Sequence, residues 1–83
     1  VEWGPHGVRV NAISPGLIET PLARQPMADA DFMRRRLAMT PLRRVGQPGE
    51  VAGAAVLLAS AAGAFITGHN LVVDGGTLIS DGN

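Results

Sequence analysis

The sequence predicts an α/β fold in which two buried strands lie parallel and are joined by helices. The segment 8–13 is β-branched at its start and has apolar residues at alternate positions, which is typical of a strand. Near the other end, Leu71-Val72-Val73 is a continuous apolar run of the kind found inside parallel sheets. Helical patterns separate the two strands, and a parallel pair requires such a long connection.

Glycine and proline set the limits of the first strand. Gly4-Pro5-His6-Gly7 predicts a turn before the strand Val8–Ile13, and Ser14-Pro15-Gly16 predicts its abrupt end. The following stretch, 17–26, is predicted to be a loop, in which one helical turn after Pro21 is left open.

An amphipathic helix is predicted over Asp29–Met39. Asp29 suits the N-cap position, and Thr40-Pro41 ends the helix because the residue before a proline avoids the α region. Arg34 and Arg35 lie toward the polar face, where a solvated arginine run is the favoured interpretation over an anion site. The opposite face carries Phe32, Met33, Arg36 and Leu37.

A second helix is predicted after the turn residues Gly46-Gln47. Pro48 suits the first helical position, and Glu50 is favourable at the positive end of the helix dipole. From Val51 to about Ser60 almost every residue is apolar, which predicts a helix that is buried on several sides. Turns are predicted on both sides of the second strand, at Ala62-Gly63-Ala64 and Asp74-Gly75-Gly76.

The uncharged stretch 51–73 is also long enough to span a bilayer. It is dominated by alanine and glycine, however, and the polar run Thr67-Gly68-His69-Asn70 would lie within the span. No basic cluster stands at its ends as an interface anchor, so a buried helix is favoured over a membrane span.

The composition argues against several classes of partner and site. Seven acidic and seven basic residues leave the 83-residue chain without net charge, which disfavours nucleic acid and anionic membranes as partners. The lack of cysteine excludes disulfides, cysteine-based zinc sites and thiol nucleophiles. With only His6 and His69, far apart, no metal site is predicted. The opening Val1-Glu2-Trp3 has no signal-peptide features, so we expect a cytoplasmic protein.

The turn at Pro15-Gly16 is the best candidate for a ligand site. Ligands of open parallel sheets bind beyond the carboxyl ends of the strands, and this turn leaves that end of the first strand. Gly16 has no Cβ, so a flat ligand could approach its backbone. Backbone amides near Ile18 could bind a carboxamide or phosphate, and the Thr20 hydroxyl could add a bond. On spacing alone, a dipeptide that merely ends a strand is the commoner explanation.

Three blocks carry a family pattern, in Gly7–Pro21, Arg44–Ala52 and Phe65–Gly76. In the first block the matching residues are Arg9, Val10, Asn11, Pro15, Gly16 and Thr20. In order and spacing, the blocks resemble the late part of the short-chain dehydrogenases/reductases and span most of the chain. The resemblance implies an NAD(P)-dependent oxidoreductase on a Rossmann-like, doubly wound parallel sheet.

The resemblance also implies roles for two parts of the chain. Holders of the nicotinamide end of NAD or NADP would be Pro15, Gly16, Ile18 (through its backbone) and Thr20. The segment 17–42 would be a lid over a small alcohol or carbonyl substrate, and its candidate contacts are Leu22, Phe32, Met33 and Leu37, for which ordinary helix packing is the alternative. Further partners would be the rest of the same enzyme and other copies in a homotetramer, toward which the tail 77–83 would extend.

The residues that carry out this family's chemistry are missing. The chain has no tyrosine to pass a proton, no lysine to lower that tyrosine's pKa and no glycine-rich phosphate turn. Ser14, Ser60 and Ser80 stand in the wrong contexts to replace the family's serine. We therefore predict that residues 1–83 form the carboxyl-terminal third of one NAD(P)-binding domain and contribute no catalytic residue. The alternative is a non-catalytic α/β module for interaction or assembly.

Overall fold

Residues 1–79 are described by a computed structural model. The predicted order of strand, helices and strand is confirmed, and the elements are β1 (Ala12–Pro15), α1 (Arg24–Met27), α2 (Ala30–Ala38), α3 (Pro48–Ala59) and β2 (Asn70–Val73). Short 3-10 turns stand beside them at Gly4–His6, Pro21–Ala23, Ala61–Gly63 and Thr77–Ile79. Of the tail 77–83, the last four residues, Ser80 included, lie outside the described residues.

The two strands pair in parallel, as predicted. Ala12 stands opposite Asn70 and Pro15 opposite Val73, so the carboxyl ends of both strands lie side by side. Pro15 fits here because the N–H groups that reach β2 at the two ends of this register belong to Ala12 and Gly16. The proline nitrogen therefore falls on the other edge of β1, where no ladder bond is lost.

β1 begins and ends later than the predicted strand Val8–Ile13. The Val10 N–H donates to the Thr67 side-chain Oγ1 at 3.1 Å, and not to a backbone carbonyl. Regular pairing begins only where the Ala12 N–H donates to the His69 carbonyl at 2.9 Å. Side-chain hydrogen bonds also stabilise this end of the sheet, because Arg9 and Asn11 both donate to the Ile66 carbonyl, at 3.1 Å each.

The helix over Asp29–Met39 is confirmed at both ends. The Asp29 carboxylate accepts from the backbone N–H groups of Asp31 and Phe32, at 2.9 and 3.1 Å, and is therefore the N-cap of α2. The face with Phe32, Met33, Arg36 and Leu37 is half-buried, whereas Arg34 and Arg35 are exposed. The preceding stretch is more helical than predicted, because α1 follows directly on the 3-10 turn Pro21–Ala23.

The start of α3 at Pro48 is confirmed, but burial of this helix on several sides is wrong. Leu58 is its only buried side chain, and Val56 is 66% exposed. α3 packs on the two strands and on the turn Ala61–Gly63. Within residues 1–79 no other layer covers its outer side, so apolar residues there face solvent.

Within the same residues, no helix is both long and apolar enough to cross a bilayer.

Candidate functional site

The carboxyl end of β2 borders an open cavity of about 620 Å³, which the predicted site residues Pro15 and Gly16 do not line. Its walls come from the loop after β1 (Leu17 and Ile18), the last turn of α2 (Leu37), the segment 40–42 and the turn 74–76 after β2. Most of these side chains are apolar, and Arg44 and Glu50 add charges at the wall. The edge of the sheet at which the sequence predicted a ligand site is thus the edge that carries the cavity.

Ile18 presents unpaired backbone groups beside this cavity. It forms a parallel bridge with Gly46, made by the bonds Glu19 N–H to Gly46 carbonyl and Gly46 N–H to Leu17 carbonyl, both 2.9 Å. These bonds use the groups of the neighbouring residues, so the N–H and C=O of Ile18 itself point away from Gly46. Neither group has a hydrogen-bond partner within residues 1–79. They form an adjacent hydrogen-bond donor and acceptor.

Gly16 is required for packing, and not for the open approach that the sequence suggested. A Cβ built on Gly16 would lie 2.8 Å from the Cβ and 2.9 Å from the Cα of Asp74. The missing side chain therefore faces the turn after β2, and a ligand cannot use that space. The Gly16 N–H is also engaged, since it donates to the Val73 carbonyl at 2.9 Å. Pro15 is exposed beside it.

Thr20 caps the short helical stretch that follows the loop. Its Oγ1 accepts from the Ala23 N–H at 3.3 Å. A hydroxyl has one proton and two acceptor lone pairs, so this cap leaves the Thr20 proton for another acceptor. Thr20 is half-buried and does not line the cavity.

The predicted lid residues do not come together at the cavity. Only Leu37 lines it; Phe32 and Met33 share its helix face but lie outside the cavity wall. Leu22 is 94% exposed on the turn before α1.

An ion pair links the loop before α3 to the first turn of that helix. The Arg44 guanidinium donates to both carboxylate oxygens of Glu50, at 2.7 and 2.8 Å. The Gln47 N–H also donates to Glu50 at 3.0 Å, and these bonds, Arg44 first, lower the pKa of Glu50 to about 2. The same pairing raises the pKa of Arg44. Nearby, Gln47 Nε2 donates to the Glu19 carboxylate at 2.8 Å, which joins the loop after β1 to the start of α3.

Sequence reasoning missed the contact between the end of α2 and the turn after β2. Thr40 is the one buried polar residue among those described, with 7% of its surface exposed. Its hydroxyl lies 2.8 Å from the Arg36 carbonyl and 3.2 Å from the Thr77 hydroxyl. The only sequence signal was the proline after Thr40, which marked a helix end and gave no partner for it.

Within residues 1–79, no group of three or more histidine or carboxylate side chains is placed to hold a metal ion.

Comparison with known proteins gives consistent matches over nearly the whole chain. A family model described as enoyl-(acyl carrier protein) reductase matches residues 1–77. Galactitol 2-dehydrogenase of Cereibacter sphaeroides is 44% identical over 75 residues, which are 90% of this chain and 30% of that protein.

Two solved structures share the fold closely. The gluconate 5-dehydrogenase of Burkholderia cenocepacia, in complex with NADP and tartrate, has a TM-score of 0.88 and 42% identity, over 95% of this chain and 31% of that one. A 4-hydroxyisoleucine dehydrogenase complexed with NADH has a TM-score of 0.92 and 34% identity, over 96% of this chain and 33% of that one. The described α/β architecture is therefore part of a Rossmann-type fold. The chain spans less than a third of the length of the curated relatives it matches first.

Proposed function

Because this chain belongs to the short-chain dehydrogenases/reductases, we propose that the protein is an NAD(P)-dependent oxidoreductase. It transfers hydride between nicotinamide and a small alcohol or carbonyl substrate, and residues 1–83 form the carboxyl-terminal part of its NAD(P)-binding domain. The names of the relatives support this activity, since they are dehydrogenases and reductases of small molecules. The complexes of two similar structures, with NADP and with NADH, support the cofactor class.

The observation that carries the proposal is the free backbone of Ile18. A nicotinamide carboxamide has one N–H₂ donor and one carbonyl acceptor, which complement the C=O and N–H that Ile18 leaves unpaired. Thr20, with its remaining hydroxyl proton, holds the same end of the cofactor, and Pro15 and Gly16 fix the turn that places both residues. When bound, nicotinamide supplies the carbon that takes or gives the hydride.

The remaining parts of the proposal concern the lid and the partners. We assign 17–42 as the substrate lid, because Ile18 near its beginning pairs with Gly46, just beyond its end, while α1 and α2 extend from the sheet. A homotetramer is supported by the apolar surface that α3 and its following turn expose, with Val56 at 66% and Phe65 at 104%. The rest of the same enzyme is the other partner. We also propose a cytoplasmic location for the enzyme.

The competing function is a non-catalytic α/β module, which the lack of tyrosine and lysine favours for these residues alone. Two measurements on the protein isolated from its source distinguish the oxidoreductase from the non-catalytic module. The oxidoreductase should have an intact mass about three times the 8.6 kDa of this chain, in keeping with relatives of which it covers 30%. It should also oxidise NADH or NADPH with some member of a panel of ketoses and small ketones. A species of 8.6 kDa without NAD(P)H turnover would establish the module instead.

A further inference from the structure

We propose that Thr40 is a positioning residue that fixes the carboxyl end of α2 to the turn after β2, so that the lid moves about this anchor. The inference rests on the proposed function of 17–42 as a lid. Thr40 lines the cavity together with Leu37, and the role assigned to Thr40 is control over where the last turn of α2 lies at the cavity wall.

Thr40 is the middle member of a chain of polar groups that crosses from helix to turn. Its Oγ1 lies 2.8 Å from the Arg36 carbonyl of α2, and Thr77 Oγ1 lies 3.2 Å away on the other side. Thr77 Oγ1 in turn lies 3.0 Å from the Asp74 carbonyl at the end of β2. Two hydroxyl protons serve three contacts, and both outer partners are carbonyls that only accept, so two of the three contacts are hydrogen bonds at any time. The threonines are joined when one hydroxyl donates to the other, which in turn donates to its own carbonyl. Thr40 is 7% exposed, so little of its surface is available to water as a substitute partner.

Backbone contacts strengthen the same junction. The Leu42 N–H donates to the Gly75 carbonyl at 3.0 Å. A Cβ on Gly75 would lie 2.9 Å from the Thr40 Cγ2, and a Cβ on Gly76 would lie 2.8 Å from the Pro41 Cγ. Both glycines have positive φ, 65° and 98°, so the turn has the shape and the missing side chains that let segment 40–42 lie directly on it.

Arg43 adds hydrogen bonds between the segment after α2 and the last turn of that helix. Its Nη1 donates to the Leu37 carbonyl at 3.0 Å and also to the Ala38 carbonyl, at the end of α2 where carbonyls lack helical partners. Arg43 is the one described non-glycine residue with positive φ, 57°, a conformation that costs energy and persists only where surroundings impose it. The chain is thus held in a set direction immediately after α2.

The lid is also attached at its beginning, through the Ile18–Gly46 bridge, but its middle has no comparable attachment among the described residues. α1 packs on α2 and on the turn Pro21–Ala23, and within residues 1–79 neither helix packs extensively on α3 or a strand. Leu22 at the tip is 94% exposed. A segment that is attached at both ends and little packed between them moves about its attachments, and segments with few buried contacts open at low free energy.

Hydrogen exchange on the full-length native protein tests the anchor, with matched threonine variants. Thr40→Val keeps the branched shape and loses the hydroxyl, whereas Thr40→Ser keeps the hydroxyl. Thr67→Val is the control, because its hydroxyl accepts the Val10 N–H at the opposite end of the sheet. We expect Thr40→Val to speed exchange of the amides of residues 36–40 and 42 by about tenfold, with β1 and β2 unchanged. Thr40→Ser and Thr67→Val should leave exchange in α2 as in the parent.

Kinetics test the positioning role. Thr40→Val should raise the KM for the carbonyl substrate several-fold and leave the dissociation constant of NADH or NADPH unchanged, with Thr40→Ser restoring the KM. Equal exchange in the valine and serine variants, a uniform rise that includes β1, or faster exchange with an unaltered KM would each overturn the inference. A parent protein that neither binds nor turns over NAD(P)H would overturn the proposed function, and the exchange data would still decide whether Thr40 anchors α2.

Discussion

At the scale of single residues, two neighbours in the loop after β1 serve different purposes. Gly16 has no side chain because Asp74 occupies the space, at 2.8 Å from the Cβ that another residue would carry. At Ile18 the backbone matters and not the side chain, because the bridge to Gly46 leaves the Ile18 N–H and C=O without partners. A glycine beside a candidate ligand loop is therefore explained here by packing, and the recognition groups lie two residues further on.

The Gly16 contact predicts a loss of stability on substitution. Gly16→Ala should lower the free energy of unfolding by about 1–3 kcal/mol, because backbone atoms of Asp74 must move to admit the methyl group. Gly53→Ala is the matched control: it lies inside α3 with nothing within 4 Å of the added Cβ, and should raise stability by about 0.5–1 kcal/mol. Thermal unfolding of both variants tests whether the first is destabilised and the second stabilised. Equal changes in stability would contradict the packing role of Gly16.

Recognition by the Ile18 backbone predicts an effect on cofactor binding alone. Ile18→Pro removes the free N–H and no bond of the bridge, since the bridge uses Glu19 and Leu17. We expect a rise of about tenfold in the dissociation constant of NADH or NADPH, the value of roughly one hydrogen bond. Ile18→Val, which keeps the N–H, should bind as the parent does. Fluorescence titration of the full-length protein measures both, and unchanged binding by the proline variant would remove Ile18 from the site.

Among the helices, the starts of α2 and α3 each depend on one carboxylate. Asp29 accepts two backbone N–H groups at the start of α2, and Glu50 accepts one at the start of α3 while it pairs with Arg44. Both local patterns were visible in the sequence, because capping is decided by neighbours in the chain. The Arg44 pairing was not, since it depends on how the loop after α2 turns back.

The N-cap of α2 predicts a local loss of stability. Asp29→Ala should destabilise the protein by about 0.5–2 kcal/mol, because two amides lose their acceptor. Asp31→Asn in the same turn is the control. It removes an exposed ion pair with Arg34, and we expect a loss of stability of about 0–1 kcal/mol. Urea unfolding should rank the two variants in this order, and a larger effect from Asp31→Asn would contradict the cap.

The Glu50 site predicts a pH dependence. Its pKa in the folded chain, about 2, lies below the ordinary 4.5, so its stabilising effect is complete above about pH 4.5 and is lost as the pH falls toward 2. Glu50→Gln should therefore lower the Tm at pH 7, and the difference from the parent should shrink between pH 4.5 and 2. Glu2→Gln, whose carboxylate forms no ion pair among the described residues, should give no such trend. A Tm difference independent of pH would rule out the charge effect.

At the scale of the whole molecule, the chain exposes more surface than its mass requires. Its accessible surface is 6022 Å², whereas a compact monomer of 8.6 kDa exposes roughly 4,700 Å². Large apolar side chains contribute to the excess, among them Trp3, Val56 and Phe65. Surfaces of this kind are covered in working proteins by further polypeptide or by another copy.

The exposed surface predicts the behaviour of residues 1–83 produced alone. We expect this polypeptide to bind the dye ANS and to associate as its concentration rises, because its apolar faces lack cover. Val56→Glu should reduce association by placing a charge on the outer side of α3. Sedimentation velocity at several concentrations measures it; a monomer that binds no dye would show that the described faces need no partner.

Sequence patterns were reliable where the deciding contacts are local. The cap at Asp29, the start of α3 at Pro48 and the turn at Asp74–Gly76 follow from residues within one helical turn of each other. They failed for the start of β1, where a side chain of Thr67, distant in the chain, replaces a ladder partner. They also failed for burial of α3, because apolar composition shows that a surface needs cover and does not show what covers it.

The α/β class, the parallel pairing and the place of the loop after β1 could be predicted from the sequence, because these depend on the hydrophobic period and on glycine and proline. The roles of the loop residues became visible only in the folded chain: Gly16 admits Asp74, Ile18 keeps a free amide and carbonyl, and Thr40 contacts Thr77. Such contacts join residues that are far apart in the chain. Their geometry is fixed by the packing of the sheet, which no local pattern records.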